Sequence, residues 1–173
     1  MTIPFRSIEA IVFDFDGVLT DNLVSIDQQG KEYVSCSRAD GLAFDVLHKL
    51  KKPSYILSTE KNQTVTARAK KLKIHALQGV DNKVEGIKQL SEQKMFKIKN
   101  TLYIGNDIND YKVMQLCWYS ACPSDSHEAI KSIATIVLKT KGGKGIVREL
   151  LEDVFKLDLG QDNFRGSFLK IAS

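Results

Sequence analysis

Asp14 and Asp16 stand one residue apart in the stretch AIVFDFDGVLT, Ala10 to Thr20. The apolar start of this stretch reads as a buried strand, and side chains two apart on a strand point the same way. Two like charges at the end of a hydrophobic strand repel each other and resist desolvation. A divalent cation removes the conflict. Mg²⁺ is a hard cation that takes oxygen ligands and keeps waters and phosphate oxygens in its shell. A carboxylate beside it, Asp14, can attack phosphorus, because the metal screens the repulsion between an anionic nucleophile and an anionic phosphate. Asp16 can then give a proton to the leaving oxygen. Gly17 permits a sharp bend that turns backbone amides toward the phosphate.

Three later segments supply what this chemistry still lacks. Ser58 and Thr59 close the apolar run SYIL with hydroxyls able to hydrogen-bond a phosphate oxygen. Lys83, in VDNKVEG, offers a positive charge to a transferring phosphoryl group. The run TLYIGNDIND ends in metal-type oxygens at Asn106, Asp107, Asn109 and Asp110. A carboxylate, a hydroxyl, a lysine and an acidic cluster thus follow one another at successive strand ends. Each is a weak signal alone, and the ordered set is a strong one.

The elements that must position these residues alternate along the chain. IEAIVFDFD, SYILS, IHALQG, TLYIGND, WYSAC and TIVL read as strands. DGLAFDVLHKLKK carries Leu42, Val46, Leu47 and Leu50 at helical spacing and is ended by Pro53. KNQTVTARAKKLK turns Val65, Ala69 and Leu72 to a core. NKVEGIKQLSEQ, INDYKVMQLC, SHEAIKSIA and GIVRELLEDVF complete the helices. This alternation predicts an α/β fold with a mostly parallel sheet and helices on both faces, with ligands beyond the carboxyl ends of the strands. Residues 18–36 break the pattern. Alternating apolar residues flank DQQGK, which predicts a β-hairpin turning near Gln28 to Gly30, beside the site and able to act as a lid. One domain over residues 1–173 is expected. Its tail runs from about residue 156, and GQDNFRGSFLKIAS is expected to be flexible or packed on a partner subunit.

The 173 residues are 43% hydrophobic and 27% charged, as in a soluble globular protein. The net charge of +4 comes from lysines spread along the chain, which read as solvated helix ends rather than a nucleic-acid surface. No apolar run approaches the roughly 20 residues that span a bilayer, and MTIPFRSIEA lacks the features of a signal peptide. Cys36, Cys117 and Cys122 are scattered and odd in number. They read as reduced thiols of a cytoplasmic protein, and His48, His75 and His127 show no pairing with them.

On these residues the chain resembles the haloacid dehalogenase (HAD) superfamily of phosphohydrolases. DFDGVLTD matches its first motif, ILSTE its second, Lys83 its third and YIGNDIND its fourth. GKEYVSCSRADGLAFDVL, RAKKL, LQGVDNK and KGGKGIVREL narrow the resemblance to the subfamily without a cap domain. That subfamily holds the 3-deoxy-D-manno-octulosonate 8-phosphate phosphatases and the phosphatases of nine-carbon sialic acid phosphates. It also holds the HAD domains associated with acylneuraminate cytidylyltransferases. The resemblance runs from about Ile8 to Phe155. It implies a Rossmann-like HAD core and a Mg²⁺-dependent phosphatase of a sugar acid phosphate, in lipopolysaccharide or sialic acid metabolism. Asp14 would become an aspartyl phosphate and bind the metal. Asp16 would be the acid and base, with its backbone carbonyl on the metal. Ser58 would hold the phosphate, and Lys83 would clamp it and orient Asp14. Asp110 would act beside the metal or through a water. Glu60, Lys61, Arg68, Arg38 and Asn109 would face the substrate. The resemblance further implies a homotetramer in which hairpins and C-terminal regions of neighbours close each site, with Gly142 to Gly145 and Arg148 near an interface.

Two positions depart from the family pattern. Asn106 follows Gly105 where active relatives usually place a metal-binding aspartate. It offers an oxygen but removes a charge, so metal affinity should fall, unless Asp107 takes the position instead. Thr59 stands where many relatives have glycine. A second functional reading therefore accompanies the first: a weakly active or inactive HAD domain serving as an oligomerisation or regulatory partner in sialic-acid-type sugar activation. A receiver-type signalling domain also uses aspartates, a hydroxyl and a lysine, but it places its phosphoacceptor on the third strand, and IHALQG carries no aspartate.

Overall fold

The computed structural model describes residues 3–159. Its strands are β1 (Ala10–Phe13), β2 (Ser25–Ile26), β3 (Glu32–Tyr33), β4 (Ser54–Leu57), β5 (His75–Leu77), β6 (Thr101–Ile104), β7 (Tyr119–Cys122) and β8 (Ile136–Val137). Six of them form one sheet in the order β5–β4–β1–β6–β7–β8. Every pairing in it is parallel. The helices are α1 (Arg38–Lys49), α2 (Gln63–Leu72), α3 (Lys83–Lys94), α4 (Tyr111–Leu116), α5 (Glu128–Ile133) and α6 (Ile146–Glu149).

The period of the central strand decides which helix goes where. Ile11 and Phe13 point to one face of the sheet, and Ala10 and Val12 to the other. The first pair joins Phe44 and Leu47 of α1, Val65 and Leu72 of α2 and Val147 of α6 in one apolar layer. The second pair joins Ile87 and Leu90 of α3, Val113 and Met114 of α4 and Ile130 of α5 in another. Both faces are therefore covered, as expected. Ser37, Asn62 and Asn82 each cap a helix, accepting from the N–H two residues on. Leu42 departs from expectation: it is exposed, and the buried side of α1 is built by Ala43, Phe44, Val46 and Leu47. Leu42 shares a spacing of four with Val46 but falls at the margin of a stripe centred on Ala43 and Leu47.

β2 and β3 form the antiparallel hairpin, apart from the main sheet. Asp27 organises its turn, its carboxylate accepting from the N–H groups of Gln29 and Lys31. Gly30 takes a φ of +78° there. A bridge between Thr20 and Cys36 closes the base. Leu23, Val24, Ile26 and Tyr33 all face outward. The segment GQDNFRGSFLKIAS, expected to be flexible or bound to a partner, lies outside the described residues. The three cysteines are free thiols.

Candidate active site

β1 ends at Phe13, and Asp14 follows directly, its N–H donating to the carbonyl of Ile104 at 2.8 Å. Asp14 is 5% exposed. Lys83, the first residue of α3, brings its Nζ to 2.8 Å from Asp14 Oδ2 and to 2.6 Å from Asp110 Oδ1. Asp110 is fully buried. Its Oδ1 also accepts from the Tyr103 hydroxyl at 2.8 Å, and its Oδ2 accepts from the N–H groups of Asn106 and Asp107. Both carboxylate oxygens of Asp110 are thus engaged, in holding Lys83 and the loop after β6. It stands behind Asp14 as a brace.

The electrostatics follow from this burial. Loss of water pushes Asp14 above the usual carboxylate range, the Asp110 charge adds to the push, and Lys83 opposes it. Burial pulls Lys83 down, but the two carboxylates more than reverse it and hold its ammonium above the ordinary lysine value. Asp16, half-buried, is also raised, first by burial and then by the charge of Glu60. Its carboxyl accepts from Thr20 Oγ1 at 3.3 Å. A carboxyl that holds its proton more tightly than usual is suited to act as a general acid.

A cavity of about 320 Å³ opens at this end of the sheet, and Asp14, Asp16, Ser58, Thr59, Asn106, Asp107 and Asn109 line it together. The carboxylates, hydroxyls and loop oxygens read from successive strand ends do converge. Gly17 has the expected bend, at φ +78°. Its amide, however, is turned inward to Thr20 Oγ1 at 3.2 Å, and the Phe15 amide to Asp14 Oδ1 at 2.7 Å, instead of toward the cavity.

Other expected residues lie elsewhere. Glu60 folds onto its own turn, with Oε1 accepting from the N–H groups of Lys61 and Asn62. Lys61 lines a second cavity of about 530 Å³ between the hairpin and the start of α2. Arg68 donates from Nη2 to the Ser37 carbonyl at 2.7 Å, a strut between α2 and α1. Arg38 is exposed at the start of α1. None of the four lines the cavity around Asp14. Gly142 and Gly143 are buried against the turn that follows Asp14: a Cβ on Gly142 would fall 2.1 Å from the Gly17 carbonyl oxygen, and the Gly143 N–H donates to Val18 O.

Several contributors were missed in the sequence. Asn22 lines the cavity from the hairpin base with a φ of +62°, a conformation asparagine tolerates better than most residues. Tyr103 reads as one more core residue of an apolar strand, yet its hydroxyl braces Asp110. Asp125 accepts from the Gly142 N–H at 3.0 Å and so steadies the glycine loop.

The donor set fits a hard divalent cation. It comprises two carboxylates, the main-chain carbonyl of Asp16 and the carboxamide of Asn106. The Asn106 carboxamide reaches within 3.2 Å of Asp14 Oδ2 and 2.9 Å of the Asp16 carbonyl oxygen. Asp107 lines the cavity too, but its Oδ1 accepts from the Ile108 N–H at 2.7 Å and caps the turn that follows. Among the described residues, no group of three or more His, Cys, Asp or Glu side chains is placed to hold a metal. The third side chain at this rim is an amide.

A sequence model of haloacid dehalogenase-like hydrolases matches residues 48–150. The chain is 29% identical over 148 residues to the 3-deoxy-D-manno-octulosonate 8-phosphate phosphatase of Escherichia coli K12, covering 85% of this chain and 79% of that one. Among solved structures it is similar to a protein from Streptomyces avermitilis described as a HAD family hydrolase, with a TM-score of 0.87 and 38% identity over 92% of this chain and 91% of that one. It is also similar to the 3-deoxy-D-manno-octulosonate 8-phosphate phosphatase of Moraxella catarrhalis, with a TM-score of 0.84 and 26% identity over 96% and 95% of the two chains. That protein was solved with a magnesium ion, a phosphate ion and a KDO molecule.

Proposed function

This chain belongs to the haloacid dehalogenase-like hydrolase family and is a phosphatase in reaction type, and we propose that it removes phosphate from a sugar acid with Mg²⁺ as cofactor. The observation that carries this reading is Asp14, held by Lys83 at 2.8 Å at the carboxyl end of the central strand. Asp16 lines the same cavity. In the first step an Asp14 oxygen bonds to phosphorus while the ester P–O bond breaks, and Asp16 gives its proton to the departing sugar oxygen. In the second step Asp16 takes a proton from water, the water oxygen bonds to phosphorus, and Asp14 leaves as a free carboxylate beside inorganic phosphate. Asp14, Asp16 and Asn106 would hold the cation, which supplies the positive charge that lets an anionic nucleophile approach an anionic phosphate. Lys83 orients Asp14 and adds charge where the transferring group sits. Ser58 and Asn109 contact the phosphate and the substrate.

A sugar acid such as an octulosonate 8-phosphate or a nonulosonate 9-phosphate is the substrate class favoured by the similarity to octulosonate phosphatases. The chain works in the cytoplasm as a single-domain homotetramer, and the outward apolar residues of the hairpin support its association with other copies. In the assembly, hairpins and C-terminal regions of neighbouring chains close each site, and Glu60, Lys61, Arg68 and Arg38, outside the cavity lining around Asp14, face the sugar acid there. The test is phosphate release from phosphorylated sugar acids with and without Mg²⁺. Turnover that requires Mg²⁺ and disappears in Asp14→Asn is expected. No release from any sugar phosphate would overturn the proposal. It would favour a second reading, suggested by the neutral Asn106: a partner domain in acylneuraminate activation with negligible turnover.

A further inference from the structure

Asn106 is 8% exposed, and its carboxamide is wedged between Asp14 and the turn at Gly17. One end of the amide faces only acceptors, Asp14 Oδ2 and the Asp16 carbonyl, and the other end faces only donors. With nitrogen directed at the acceptors, both ends are satisfied. With oxygen directed at them, three oxygens converge and neither end is satisfied, unless a cation stands among them. The space for this amide exists because residue 17 is glycine: a Cβ there would fall 1.9 Å from the Asn106 carboxamide. An aspartate at position 106 would have no such choice, since a carboxylate has no hydrogen to donate.

We propose that Asn106 is a built-in occupant of the cation position, an amide that bridges Asp14 and the Asp16 carbonyl when no metal is bound and turns its oxygen inward when one is. The inference takes the identity of the cation from the phosphatase reading and nothing else. Cation binding at this rim is then an exchange. Two hydrogen bonds, one of them to a carboxylate, must be given up before the carboxamide oxygen can serve as a ligand. The metal-free rim is held in a set arrangement, where three acidic side chains would repel one another. The cost falls on affinity, so the site fills only at a higher Mg²⁺ concentration than a rim with a third carboxylate requires.

The test uses the whole chain, labelled with ¹⁵N and titrated with magnesium chloride alone. The carboxamide signal of Asn106 is identified by its absence in Asn106→Asp, or in Asn106→Ser should the aspartate variant not fold. As calorimetry registers binding, that signal is expected to move in step, toward the position of a less hydrogen-bonded amide. Asn106→Asp is expected to bind Mg²⁺ roughly tenfold to a hundredfold more tightly. It should also melt below the unaltered chain in a chelator and lose that deficit in Mg²⁺. A carboxamide signal that stays in place while Mg²⁺ binds would overturn the proposal. So would equal affinities in the two proteins, or no Mg²⁺ binding to the unaltered chain. Absence of phosphate release moves none of these readouts, so failure of the phosphatase reading would be separately visible.

Discussion

At the carboxyl end of β1, the charged side chains Asp14, Lys83 and Asp110 are almost wholly removed from water. On the hairpin, Leu23, Val24, Ile26 and Tyr33 are turned into it, each at least 48% exposed. The two regions break the usual partition of residues in opposite directions. The rim is self-sufficient, because each buried charge meets an opposite charge or a hydrogen-bond donor within the same chain. The hairpin is not, since a two-stranded ribbon is marginal alone and these four side chains stand in solvent. The charged rim is thus satisfied within one chain, while the hairpin beside it leaves apolar side chains in water.

The largest effect should come from breaking the rim. Lys83→Met leaves Asp14 and Asp110 facing each other without a cation. Breaking a buried pair in this way costs about 3–5 kcal/mol. Turnover should also fall by roughly 10²–10³, with denaturant unfolding and initial rates as the measurements. Asp40 sharpens the comparison, because it is a buried carboxylate with weaker support. Its Oδ1 accepts from the Val147 N–H at 2.9 Å, while its Oδ2 has no partner. Burial raises it from 3.8 to about 6, against the opposing pull of the Val147 and Arg148 amides and of the Arg68 and Arg148 charges. The folded chain therefore keeps a proton that the unfolded chain has lost between these values. This stabilisation is present at low pH and lost as pH rises through about 6. Asp40→Asn should be more stable than the unaltered chain by up to on the order of 3 kcal/mol above pH 6. The advantage should vanish below about pH 4, as melts across that range would reveal.

Breaking the hairpin surface should change assembly and little else. Ile26→Glu is expected to shift sedimentation toward smaller species while altering the stability of a single chain by no more than about 0.5 kcal/mol. The smallest effect belongs to Thr59→Gly. Thr59 is exposed at the cavity edge, and KM should move by less in Thr59→Gly than in Ser58→Ala, where a buried hydroxyl would be lost.

The rim was legible in the sequence because strand ends are. Alternating apolar runs locate where the chain leaves the sheet, so Asp14, Ser58, Lys83 and Asn106 fall at neighbouring exits before any contact is known. The same logic gave the parallel sheet and the turn of the hairpin. What stayed hidden depends on partners far along the chain or on conformation. Tyr103 differs from its apolar neighbours by one hydroxyl, and only the fold brings that hydroxyl to Asp110. Arg68 is 31 residues from the Ser37 carbonyl that holds it. Gly142 and Gly143 are expected, from the resemblance, near a subunit interface, and nothing local says that they pack on the turn at Gly17. Leu42 kept the helical spacing but not the buried side, since spacing alone leaves the centre of a stripe undefined.

The most direct measurement is to quench the chain with acid during turnover of a sugar acid phosphate in Mg²⁺, then treat it with borohydride, which reduces an acyl phosphate at the residue that carries it. Peptide mapping should find reduction at Asp14 alone, and none in chain quenched without substrate. Phosphate release with reduction at another residue, or at none, would contradict covalent attack by Asp14.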